Sequence, residues 1–128
     1  PAIAEIIGLG AAVAYVNSLN REALNLEEQS LIKLTLNALS EIPRIELIGE
    51  PAERLSVISF NIEGAHPHDV GQLLDQQGVA VRTGHHCTMP LMSRLNIPGT
   101  VRASFSFYSN QEDSRRLIEA VEKATDLL

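Results

Sequence analysis

The sequence predicts a small α/β domain of α+β-like layout, a mostly antiparallel sheet of about three to four strands with helices packed on one side. Three observations predict it. Helical periodicity occupies both ends of the chain, short β-branched or alternating runs occupy the middle, and one helical crossover separates two of those runs. The 128 residues, 45% hydrophobic and 20% charged, suit one core-forming domain over 1–128 and exclude compositional disorder. Only five residues are aromatic and none is tryptophan, so the core must be mostly aliphatic.

Each element has a local reason. Ile3, Ile6, Ile7, Gly10, Val13 and Val16 recur at helical spacing, with Leu9 and Ala12 widening the stripe. The small residues on this helix permit close approach to another element. A second helix is expected over 24–39, ending before Pro43, because a residue preceding proline avoids the helical region. Residues 44–48 read as a short strand ended by Gly49 and Pro51, and 55–62 as a buried strand that Gly64 breaks. Pro67 and Asp69 suit the start of a helix running to Gly78. Val79 and Val81 share one face of a short strand over 79–82, which Thr83 and Gly84 end. A loop follows, His85-His86-Cys87-Thr88, then a short helix from Pro90 to Leu95. Residues 101–107 alternate, with Val101, Ala103, Phe105 and Phe107 on one face and Arg102, Ser104, Ser106 and Tyr108 on the other. Asn110 caps a last helix whose stripe is Leu117, Ile118, Val121 and Ala124.

The net charge of −6 argues against nucleic acid or an anionic membrane as partner. The charge is uneven. Residues 1–64 hold nine acids against four bases, and 111–128 hold five against three. Residues 65–110 hold two acids, three bases, all four histidines and the only cysteine, so chemistry is sought there first. The longest uncharged apolar run, 6–16, falls short of the ~20 residues a membrane span needs. Glu5 precedes it where a signal peptide carries basic residues. One cysteine excludes an internal disulfide framework and favours a reducing, cytoplasmic setting. The chain opens on proline and an apolar helix that needs cover, so it is read as a piece of a larger protein.

The richest stretch runs Val81-Arg82-Thr83-Gly84-His85-His86-Cys87-Thr88-Met89-Pro90-Leu91-Met92. A cysteine acts as a nucleophile through its thiolate. Two preceding histidines, a following helix N-terminus and Arg82 on the lead-in strand all favour an anionic sulfur at Cys87, and Gly84 lets the loop turn outward. The plain alternative is a small buried core cysteine. A zinc or interaction module could instead draw on His66, His68, His85, His86 and Cys87, although their spacing matches no strong ligand pattern. Arg102 and Arg82 read either as solvated strand arginines or as bidentate clamps for a carboxylate. The GLGAA segment follows no strand and is discounted as a nucleotide loop.

The Arg82–Met92 run resembles the active-cysteine loop of the SufS-type (group II) cysteine desulfurases, pyridoxal-phosphate enzymes of the class V aminotransferase family, which also include selenocysteine lyases. The likeness continues through Val101-Arg102-Ala103-Ser104-Phe105, Tyr108 and His66-Pro67-His68-Asp69-Val70, and the opening Ile6-Ile7-Gly8-Leu9-Gly10-Ala11-Ala12 resembles the helix that follows the cofactor domain. The resemblance implies that pyridoxal phosphate activates L-cysteine, or L-selenocysteine, and that Cys87 takes the sulfur as a persulfide while alanine leaves. The sulfur would pass to an acceptor protein for iron–sulfur cluster assembly. It implies Arg102 as carboxylate clamp, Arg82 as a second substrate-binding group, Gly84, His85 and His86 as active-site loop residues, and a homodimer at full length. The family's cofactor lysine lies in a serine–histidine–lysine segment. Neither Lys33 nor Lys123 has that context, so no cofactor is expected on this chain alone and it is expected to be inactive without a large domain.

Overall fold

The computed structural model describes residues 1–128. Its elements run α1 (Ile3–Ser18), α2 (Arg21–Glu41), β1 (Ile45–Leu47), β2 (Val57–Ile62), α3 (Pro67–Gln76), β3 (Arg82–Gly84), α4 (Met89–Leu95), β4 (Thr100–Ser104) and α5 (Gln111–Leu127). The four strands form one antiparallel sheet in the order β1-β2-β4-β3. β2 and β3 both oppose β4 and so run the same way. α3 carries the chain from one to the other across the strand between them.

The register explains the core. Phe60 stands opposite both Leu47 and Val101, Ile58 opposite Ala103, and Ile62 opposite Ile45. These apolar residues share one face, since alternate side chains point the same way. Against that face pack Ile32 and Leu39 of α2, Val70 and Leu74 of α3, and Leu117, Val121 and Ala124 of α5. Full burial of each large side chain stabilises by roughly 1.5–3 kcal/mol. A polar tie crosses the helix layer. The Thr35 and Ser114 hydroxyls, both fully buried, lie 2.7 Å apart, and Thr35 also donates to the Leu31 carbonyl. Of the helices expected on one side, α2, α3 and α5 are there, while α1 takes no part in that layer and the short α4 and its flanking loops are the other exception. Those loops close over one end of the opposite, polar face, where Asn61 donates to the Gly99 carbonyl and Thr100 is buried.

Several boundaries differ from the sequence expectation. α2 begins at Arg21 and not at 24, because the Asn20 side chain accepts from the Ala23 amide and caps it early. The strand expected over 79–82 forms at 82–84, and Thr83 and Gly84 continue it where they were expected to end it. β4 stops at Ser104 and does not reach 107. There the chain turns, with the Ser109 amide bonding the Ser106 carbonyl and the Ser106 amide bonding the Ser109 hydroxyl, and Phe107 is left exposed. The Asn110 cap is present and reciprocal, since Asp113 bonds back to the Asn110 amide. α1 has no buried residue, and Ile6 is 66% exposed.

α3 comes close to β3 at one point. A Cβ built at Gly71 would sit 2.4 Å from Thr83 Cγ2. Gly71→Ala is therefore expected to destabilise the fold by about 1–3 kcal/mol in urea unfolding. Adding Thr83→Ser, which removes that methyl, should recover most of the loss. Equal stability of Gly71→Ala and the parent would contradict this packing.

Candidate active site

β3 and β4 bring the charged residues together. Arg82 pairs with Arg102, Thr83 with Val101, and Gly84 with Thr100. Val101 faces the helices, so Thr100, Arg102 and Arg82 rise from the opposite face. On β2, Ser59 stands opposite Arg102, and the same register sets Asn61 beside Thr100. Two guanidinium-bearing side chains directly opposite each other weaken a sheet, because like charges repel across the strands. The Arg102 Nε is moreover buried without a hydrogen-bond partner. That combination is a seat for an anion more than a structural pair.

The loop after β3 presents the cysteine. Gly84, at φ 106, turns the chain off the strand. His86 and Cys87 then adopt φ 54 and 62, two successive non-glycine residues in the left-handed region, at roughly 1–2 kcal/mol each. Local bonds hold them there. The Thr88 amide and hydroxyl both donate to the His85 carbonyl at 2.8 Å. The Cys87 amide donates to His85 Nδ1 at 3.1 Å. His86 Nε2 lies 2.8 Å from the Thr100 hydroxyl and 3.2 Å from the Thr100 carbonyl. Arg82 Nη2 donates to Cys87 Sγ at 3.7 Å. The thiol is free and exposed, which removes the alternative of a buried core cysteine.

His86 is tuned by its surroundings. Burial lowers its pKa from the ordinary 6.5, and Arg102, Arg82 and His85 act in the same direction, against the bond to Thr100. A carbonyl can only accept, so in that contact the hydrogen sits on Nε2, while Nδ1 is buried without a partner.

The residues considered for zinc do not converge. His66 caps α3 by accepting from the His68 amide, and His68 Nδ1 bonds the Thr83 hydroxyl at 3.0 Å. His85 and His86 are engaged as above, and no three His, Cys, Asp or Glu side chains are grouped to hold an ion. The two lysines are exposed on α2 and α5, in the layer that covers the other side of the sheet. No lysine stands beside Cys87, so this chain offers none there to hold the pyridoxal-phosphate aldehyde. The groove of about 550 Å³ between 79–81 and 103–105 is lined without Cys87. The Thr100 clamp and the Asn61 bond beneath it went unnoticed in the sequence, where neither residue belongs to a recognisable motif.

The aminotransferase class-V family profile matches residues 1–117. A cysteine desulfurase of Serratia proteamaculans is 47% identical over 128 residues, covering all of this chain and 31% of its own length. The apo cysteine desulfurase of Thermococcus onnurineus superposes with a TM-score of 0.92 at 36% identity, and the cysteine desulfurase CsdA of Escherichia coli with 0.91 at 33%. Each covers the whole of this chain and 32% of its own. The chain thus spans about a third of the length of these relatives.

The lowered pKa of His86 has a consequence for stability. Between the folded value and the ordinary 6.5 the unfolded chain binds more protons than the folded one. This contribution is present above about pH 6.5 and is lost as pH falls through that window. Urea midpoints should therefore drop from about pH 7.5 to about pH 5.5, and His86→Gln should flatten part of that slope. An identical slope in the variant would show that His86 does not titrate as described.

Proposed function

This chain belongs to the aminotransferase class-V family, and on that premise we propose that it is the cysteine-bearing domain of a cysteine desulfurase. In this reading Cys87 takes the sulfur of L-cysteine as a persulfide. One observation carries it: a free, exposed cysteine accepts a guanidinium hydrogen bond, beside a second arginine whose buried Nε has no partner.

Each residue has a task that its position supports. Cys87 Sγ attacks the substrate sulfur; an S–S bond forms as the substrate C–S bond breaks, and the electron pair stays on carbon, which takes up a proton to give alanine. Arg102 offers its planar fork to the α-carboxylate, filling the anion seat on β4. Arg82 steadies the Cys87 sulfur and shares the negative charge gathered there. His85 holds the Cys87 amide, and Gly84 supplies the turn. The remaining length of the relatives is where the cofactor lysine and phosphate seat belong in this reading. The outer sulfur of the persulfide then leaves by attack of an acceptor thiolate. The exposure of Cys87 supports hand-over to another protein, and iron–sulfur cluster assembly is the use we assign to it. Selenocysteine as a second substrate, a homodimeric whole enzyme and a cytoplasmic setting belong to the same proposal.

The test combines this chain with the cofactor-binding portion of a relative, pyridoxal phosphate and sulfur-labelled cysteine. Alanine and label on Cys87 are expected, and Cys87→Ala should lose both. Arg102→Gln should raise KM for cysteine at least tenfold, as expected for a lost charge-assisted bond. Sulfur transfer at an undiminished rate in Cys87→Ala would overturn the reading. Mixed with the cofactor alone, the chain should show no reducible imine at Lys33 or Lys123.

A further inference from the structure

The Cys87 loop is costly to hold, yet few bonds tie it to the sheet. The Cys87 amide bonds His85, which belongs to the same loop and moves with it. Arg82 reaches the sulfur from β3, but its side chain is exposed. The remaining tie is His86 Nε2 to Thr100. Thr100 is unlike the other two partners: it is 2% exposed and lies in register against Gly84. Its neighbour Gly99 accepts from the Asn61 amide at 3.0 Å and abuts Gly84 so closely that a Cβ there would sit 2.8 Å from the Gly84 carbonyl. Thr100 is therefore immobilised from both adjoining strands.

We propose that Thr100 is a positioning residue for Cys87. Its hydroxyl and carbonyl together grip His86 Nε2, and through His86 they hold the two left-handed residues that aim the sulfur toward Arg82. The grip needs the hydroxyl: it makes the shorter contact, 2.8 Å against 3.2 Å for the carbonyl. Precise sites are built on rigid elements with a supporting layer behind them, and Thr100 is that layer here. The consequence for sulfur transfer rests on the desulfurase reading; the positioning itself does not.

The experiment uses this chain and the variants Thr100→Val and Thr100→Ser. Solvent-exchange NMR reads the Cys87 amide. In Thr100→Val the Cys87 amide should exchange about fivefold faster, as expected for loss of one hydrogen bond. The core amides of Phe60 and Val121 should stay within about twofold, which separates positioning from general destabilisation. Thr100→Ser, which keeps the hydroxyl, should match the parent. The proposal is overturned by an unchanged Cys87 amide in Thr100→Val, by equal acceleration at Phe60 and Val121, or by a serine variant that behaves like valine. In the reconstituted enzyme, Thr100→Val should lower kcat about fivefold at unchanged KM, since Arg102 is undisturbed. Absence of turnover in the parent would sink the desulfurase reading and leave the exchange result standing.

Discussion

The pairing of β4 between β2 and β3 is the constraint on which the rest depends. One register places Val101 and Ala103 against the helix layer and Thr100 and Arg102 on the other face. A slip of one residue would turn Arg102 into the apolar core and expose Val101, at a cost no local contact could offset. Core and site are thus two readings of the same strand. The register also sets Arg82 opposite Arg102, so the force that buries Val101 gathers two cations.

That gathering works against stability, and so does the loop. Like charges face each other across β3 and β4, an arginine nitrogen is buried unpaired, and two residues hold left-handed backbone. Such costs persist only where the surroundings enforce them, and they concentrate where a protein does chemistry. Here the enforcement comes from the Phe60-centred core on one side and the Asn61–Gly99–Thr100 contacts on the other. A bound carboxylate or a charged sulfur would relieve the cation pair, which links the strain to the proposed use.

The family likeness and the Cys87 loop were legible because the longest motif, Arg82 to Met92, is one continuous stretch. α5 was legible for a similar reason: its stripe recurs within one seventeen-residue helix behind a strong cap. Errors came where a local signal had two outcomes. Val79 and Val81 alternate as a strand should, yet the hydrogen-bonded segment begins only at Arg82, where Gly99 lets Gly84 approach β4. Phe105 and Phe107 continue an alternation that the serine turn interrupts. Asn20 caps α2 so that it starts at Arg21, ahead of residue 24 where the helix had been expected to begin.

What the sequence determined by itself was chemistry with short range: the outward turn at Gly84, the cysteine beside two histidines, and the alternation that sends Val101 and Arg102 to opposite faces. Only the tertiary structure decided which partners those groups meet. It set His86 on Thr100 fourteen residues away, left Arg102 Nε without a partner, kept His66 and His68 out of the cysteine loop, and put both lysines in the helix layer. The reason is physical. Backbone propensity acts over a few residues, whereas strand register and helix placement are settled by how fourteen buried side chains fill one core.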